Sequence, residues 1–236
     1  MSACLWLVVP AAGCGSRMKA ARPKQYLELA GRPVIQHTLS RLHGALPAAK
    51  LCLCLDDNDV YFDPSWVPFS PWQRVSGGVE RMDSVLNALQ AIGSKARSDD
   101  IVLVHDIARP CVLPADLERL LDAVQRGPAG ALLAAPVADT MKRDNGAGHV
   151  LRSEPRDGLW HALTPQGFRY ALLRRALEQA KATGQQVTDD ASAVEALGLS
   201  PELVVGRRDN IKITHPEDLG LATHILVAQR ASDYSF

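Results

Sequence analysis

Short apolar runs alternate along this chain with stretches whose apolar positions recur at helical spacing. Leu5–Val9, Lys50–Leu55, Ile101–His105, Gly130–Ala135 and Glu202–Val205 read as buried strands, and Ile211–Thr214 as a further short one. Between them, Pro33–Leu46 and Pro114–Gln125 open with proline at a first-turn position, where a missing N–H is tolerated. Glu80–Ile92 repeats Met82, Val85, Leu86 and Leu89 along one face. Thr164 is placed to cap Pro165–Ala182, Thr188 to cap Asp189–Leu197, and Pro216–Gln229 ends the series. Strand and helix signals in alternation predict an α/β fold, a mostly parallel sheet flanked by helices. Neither an internal repeat nor a low-complexity linker divides it, so a single domain over 1–236 is expected.

One segment breaks the alternation. Pro136–Leu159 carries Lys142, Arg143, Asp144, Asn145, Gly146, Gly148 and Arg152 and few residues that could build a core. It is too long for an ordinary loop in a compact domain. The alternatives are a lid, a surface loop, or an arm that embraces another subunit.

Charge and cysteine usage narrow the classes. Lys plus Arg and Asp plus Glu are equal at 26 each, so the chain lacks the basic excess typical of a nucleic-acid partner. No apolar run approaches the roughly 18 residues of a membrane span, so no membrane partner is expected. The five cysteines, Cys4, Cys14, Cys52, Cys54 and Cys111, form no CxxC pair and no zinc spacing. Free thiols in a reducing compartment are expected, with Cys52 and Cys54 on one face of a strand. Leu5–Gly13 before Cys14 faintly resembles a lipoprotein signal. However, no cation precedes the run and Pro10 ends it, so the chain reads as cytoplasmic.

Candidate chemistry begins in Leu5–Lys24. An apolar strand runs into Ala11, Ala12 and Gly13, whose small side chains let backbone N–H groups approach phosphate oxygens. Arg17 offers a planar fork and Lys24 a mobile point charge for the same anion. Met18 occupies the third glycine position of a dinucleotide fingerprint, and no Gly-Lys-Ser/Thr follows, so neither a nicotinamide site nor a Walker loop is indicated. Gly77-Gly78 leads into a helix start with Arg81 and Ser84, a junction able to receive a flat ligand. Asp106 follows a buried strand directly and is a natural Mg²⁺ ligand beside substrate phosphates. His105 has no histidine partner at metal spacing and reads as structural. Asp209 and Lys212 set a second acid beside a cation late in the chain.

Together these clusters resemble the 2-C-methyl-D-erythritol 4-phosphate cytidylyltransferases. The match runs through Pro10-Ala-Ala-Gly-x-Gly-x-Arg-Met18, Pro23-Lys-Gln-Tyr26, Gly77-Gly-x-Glu-Arg-x-Asp-Ser84 and Val104-His-Asp-x-Ala-Arg-Pro110. It continues through Pro136-Val-x-Asp-Thr140, Arg156-x-x-Leu-Trp160, Leu163-Thr-Pro-Gln166, Thr188-Asp-Asp-Ala-Ser192 and Asp209-Asn-Ile-Lys212, covering essentially the whole chain in order. Ile107 departs from the pattern, standing where the family often has alanine.

The resemblance implies a Rossmann-like domain with an extended arm at about 136–159 through which two copies form a homodimer. It implies that CTP and a polyol phosphate are joined with release of pyrophosphate, with Mg²⁺ as cofactor. Arg17 and Lys24 would be catalytic. Ala11, Ala12, Gly13, Gly78, Arg81 and Ser84 would bind the nucleotide. Arg109, Thr140, Arg156, Thr164, Thr188 and Lys212 would bind the acceptor, Thr140 and Arg156 reaching it from the partner's arm. Asp106 and Asp209 would hold the metal. The nucleophile would be a phosphate oxygen that is already anionic, so no general base is required. A cytidylyltransferase for another polyol phosphate, such as ribitol 5-phosphate, is the nearest rival. A nucleotide-binding protein without catalysis is a more distant one.

Overall fold

A computed structural model of the chain describes residues 3–13 and 15–233; Cys14 lies outside the described residues. Seven strands build the central sheet: β1 (Leu5–Pro10), β4 (Lys50–Leu55), β5 (Trp72–Ser76), β6 (Ile101–Val104), β7 (Ala131–Pro136), β10 (Trp160–Arg169) and β11 (Glu202–Val205). Their order is β11-β7-β10-β6-β1-β4-β5. All pairings are parallel except those of β10, which runs antiparallel to both β6 and β7. Two small hairpins stand apart from the sheet: β2 (Glu28–Leu29) with β3 (Arg32–Pro33), and β8 (Met141–Asp144) with β9 (Val150–Glu154).

Period-two alternation decides which helices cover which face. Leu7 and Val9 of β1 point to one side, where Leu51, Leu53 and Leu103 meet α1 (Val34–Ala45) and α3 (Pro114–Arg126). Trp6 and Val8 point to the other, where Cys52, Cys54, Val102 and Val104 meet α2 (Arg81–Ala91), α4 (Tyr170–Thr183) and α5 (Asp190–Glu195). Both faces being buried, the strands read as continuous apolar runs. A third cluster packs α6 (Glu217–Asp233), through Ala222 and Leu226, against Leu29, Val34 and Ile213. Among the described residues Cys4, Cys52, Cys54 and Cys111 are free thiols. Burial pushes Cys52, Cys54 and Cys111 up to about 12.

Three expectations are corrected. Thr164 and Pro165 lie inside β10, and α4 begins only at Tyr170. The ladder between β10 and β7 shifts register between Ala162 and Gln166, which takes Pro165 out of regular pairing and lets an antiparallel strand contain a proline. Thr188 does not cap α5; the Asp189 carboxylate does, accepting from Ser192 N–H at 2.9 Å. Residues 211–214 form no strand. The polar excursion is neither coil nor lid over the sheet but the β8–β9 hairpin, exposed along 138–153.

The topology also locates a crevice. The chain leaves β1 toward β4 and β5 on one side, then crosses back to place β6 on the other. The carboxyl ends of β1 and β6 therefore flank the point where strand order reverses, where open α/β sheets bind ligands.

Candidate active site

The β1 end is held rigidly. Ala11 N–H continues the ladder to the Cys54 carbonyl at 2.8 Å. Gln25 is buried and donates Nε2 to the carbonyls of Ala11 (2.7 Å) and Gly13 (3.2 Å). Those contacts occupy two oxygens whose partial negative charge would repel a phosphate. Across the cleft, Gly77 N–H bonds the Leu55 carbonyl at 2.7 Å, and a Cβ at Gly77 would fall 2.2 Å from that of Ala12. Glycine is thus required for the two loops to meet. Ser84 Oγ accepts from Gly78 N–H at 2.9 Å, while Glu80 and Asp83 form a capping box at the start of α2. Between the loops lies a cleft of about 470 Å³ lined by Ala11, Ala12, Gly13, Lys24, Gly78, Arg81, Ser84, Asp106 and Lys212.

Asp106 organises the charges at its floor. Its Oδ1 accepts from Arg81 Nε at 2.9 Å, and its Oδ2 lies 2.8 Å from Lys212 Nζ and 3.6 Å from Arg109 Nε. Burial works to raise the Asp106 pKa, but Arg81, Lys212 and Arg109 outweigh it and hold the carboxyl well below the usual range. Arg81 spans a second carboxylate, with Nη2 2.8 Å from Oδ2 of the buried Asp190. Lys24 donates to the Ile213 carbonyl at 2.8 Å. Burial first, then the charge of Lys212, lowers its ammonium to about 8.

A hydrogen-bond chain fixes the turn that carries Asp106 and Arg109. Asp106 N–H donates to Thr164 Oγ1 at 3.1 Å, and that hydroxyl meets His105 Nδ1 at 3.1 Å. The remaining ring nitrogen, Nε2, lies 3.0 Å from the Arg109 carbonyl, which assigns it the proton. Burial lowers His105 to about 4, so it stays neutral and structural, as expected from its lone position. Arg109 donates to the Asn210 carbonyl at 2.7 Å, and Asn210 returns a 2.8 Å bond to the Thr164 carbonyl. Ile107 is buried in the core and its carbonyl accepts from Thr38 at 2.7 Å.

A second cleft of about 210 Å³ adjoins the first. Arg109, Thr164 and Thr188 line it, and Arg81, Asp106 and Lys212 are shared by both. Most of the residues singled out from sequence are thereby brought together. Four are not. Arg17 is exposed on a short 3-10 turn and lines neither cleft, although its charge reaches Lys24. Thr140 and Arg156 lie exposed on the arm, where Arg156 bonds the Ala138 carbonyl of its own chain. Asp209 is chelated by Arg207, with contacts of 2.7–3.0 Å, and lines neither cleft. Sequence reasoning missed Gln25, Asp190 and Asn210 as supports. All three sat inside quoted motifs, and their burial was the signal that only structure supplies.

The donor set limits how a metal ion can be held. Among the described residues no three His, Cys, Asp or Glu side chains converge. Of the expected pair, Asp106 faces the clefts, whereas Asp209 lines neither and is bonded by Arg207. One carboxylate facing a phosphate-sized cleft fits a Mg²⁺ whose remaining ligands are phosphate oxygens and water.

Small-residue loop, cationic floor and switch-point position together define a nucleotide-binding α/β protein with a second cleft adjoining the first. Comparison with known proteins narrows this class. The family model for 2-C-methyl-D-erythritol 4-phosphate cytidylyltransferase (IspD) matches residues 5–228, and the chain belongs to that family. It is 61% identical over 228 residues to the 2-C-methyl-D-erythritol 4-phosphate cytidylyltransferase of Chromohalobacter salexigens, covering 97% of this chain and 92% of the relative. Among solved structures, a 4-diphosphocytidyl-2C-methyl-D-erythritol synthase superposes with a TM-score of 0.83 at 33% identity over 96% of this chain and 99% of the other. The cytidylyltransferase from Thermus thermophilus gives 0.78 at 34% identity over 94% and 98%.

Proposed function

We propose that this chain joins CTP to 2-C-methyl-D-erythritol 4-phosphate, giving 4-diphosphocytidyl-2-C-methyl-D-erythritol and diphosphate for isoprenoid precursor synthesis. The observation that carries the reading is the pair of adjoining clefts that share Arg81, Asp106 and Lys212. A nucleotide triphosphate in the larger cleft and a phosphate monoester in the smaller one would meet at that shared wall.

The acceptor phosphate oxygen attacks the α-phosphorus, the new P–O bond forms, and the bond to the diphosphate leaving group breaks. No proton has to move, which agrees with a His105 that is buried and neutral. Catalysis then rests on alignment and charge neutralisation. Lys24, mostly protonated at neutral pH, and Arg17 oppose the charge that builds on the crowded α-phosphoryl group. Arg109, Thr188 and Lys212 hold the acceptor, while Thr164 positions Asp106. Asp106 would hold a Mg²⁺, which when bound would supply neutralisation of the triphosphate charge.

Two copies assemble through the β8–β9 arm, which exposes Met141, Val150, Leu151 and Leu159. The partner's arm brings Thr140 and Arg156 to the acceptor cleft. The reading is supported by the absence of either residue from the cleft of their own chain. The setting is the cytoplasm, in keeping with the free thiols and with a structure in which no described helix is long and apolar enough to cross a membrane.

The test is turnover with CTP and Mg²⁺ against methylerythritol, ribitol and erythritol phosphates, following diphosphate release and product mass. Turnover confined to methylerythritol phosphate is expected. Turnover with only another polyol phosphate would overturn the acceptor assignment and keep the chemistry.

A further inference from the structure

A third cleft, of about 410 Å³, opens where β3, α1, the start of α3 and α6 meet. It shares no lining residue with the two clefts above. Three arginines from three separate elements line it: Arg32 of β3, Arg41 of α1 and Arg230 of α6. None of them makes a salt bridge among the described residues, and no Asp or Glu lines the cleft.

The surroundings strengthen the positive field. Pro114, the first residue of α3, forms part of the wall, which puts the positive end of that helix dipole at the cleft. His37 lies beneath, buried and bonded to the Leu29 carbonyl. Burial lowers its pKa, and the charges of Arg230, Arg32 and Arg41 lower it further. Leu226, Pro110 and Ala45 supply apolar wall, which focuses the field instead of screening it.

We propose that this cleft is a binding site for a compact phosphate-class polyanion, a diphosphate or a small organic phosphate, separate from the nucleotide and acceptor sites. Guanidinium forks match phosphoryl oxygens in pairs, and three of them line this one cleft with no carboxylate among its walls. The occupant is a phosphate without a nucleobase, because no Phe, Tyr or Trp lines the cleft to stack one. Arg41 connects the site inward. It donates to Gln229 Oε1 at 2.9 Å, and Gln229 Nε2 donates to the Cys111 carbonyl at 3.0 Å. Cys111 lies two residues from Arg109 of the acceptor cleft.

Isothermal titration of the full-length protein with inorganic diphosphate, without Mg²⁺, tests the assignment. Three proteins are compared: wild type, Arg32→Ala/Arg230→Ala and Lys24→Ala/Lys212→Ala. Wild type is expected to bind at two sites per chain. The arginine variant should weaken one of them roughly tenfold or more and keep both the other site and turnover with CTP. The lysine variant should retain the arginine-dependent site. A single site abolished by the lysine changes, or two sites indifferent to the arginine changes, would overturn the proposal and leave the cytidylyl-transfer reading untouched. Arg32→Gln, at one exposed side chain, replaces the double variant if that unfolds, with the same two outcomes.

Discussion

Lys212 Nζ lies 2.8 Å from Asp106 Oδ2, so a cation at the shared wall of two clefts is held in place by the floor of the site itself. The same carboxylate holds Arg81 and touches Arg109. One buried acid therefore organises three cations that would otherwise repel one another.

Replacing Asp106 by Asn should expose that repulsion. Arg81 keeps Asp190, but Arg109 and Lys212 lose their nearest counter-charge. A loss of roughly 2–4 kcal/mol is expected, moderated because Lys212 and Arg81 reach solvent. Urea unfolding measures it. CTP or diphosphate should restore more stability to the variant than it adds to wild type, since an anion takes the place of the missing carboxylate. Equal stabilisation of both proteins would contradict this role.

Lys24 gives the reaction a pH limb. Its ammonium is lowered to about 8, so in the free protein the charge is present below that pH and lost above it. The kcat/KM for CTP, which reports the free protein, should fall as pH rises through about 8. Lys24→Arg, which stays charged, should lower the rate yet remove that limb. A limb unchanged in Lys24→Arg would assign the titration elsewhere.

The arm can be tested by complementation. Lys24→Ala and Arg156→Ala homodimers should both be poorly active. In a hybrid, one site combines intact Lys24 with intact Arg156 and the other carries both changes. An equal mixture with free subunit exchange should recover about a quarter of wild-type activity, from half the dimers bearing one of two sites. Unchanged activity with exchange demonstrated by mass spectrometry would mean that the site lies within one subunit.

The parallel strands other than β5, and the three clusters around Ala11, Gly78 and Asp106, were legible because each couples an apolar run to a loop of distinctive chemistry; β5 was not, being a half-exposed edge strand without an apolar run. β10 was not, since Thr164-Pro165-Gln166 carries helix-start signals that burial between β6 and β7 overrides. The arm was visible only as polar excess, because a hairpin exposed on both faces leaves no alternating pattern. Asp209, quoted in one motif with Lys212, lines neither cleft in the fold, where its carboxylate is bonded by Arg207. Gln25 illustrates the reverse, a polar residue whose two carbonyl contacts make it a support for the loop next to it.

The most direct test of the account is Lys24→Ala examined by two measurements on one preparation, equilibrium CTP binding and single-turnover rate. If Lys24 acts chiefly on the α-phosphoryl transition state, the rate falls by roughly two orders of magnitude or more while the CTP Kd changes only a few-fold. A rate loss no greater than the loss of CTP affinity would contradict that, and would reduce Lys24 to an anchor for the triphosphate.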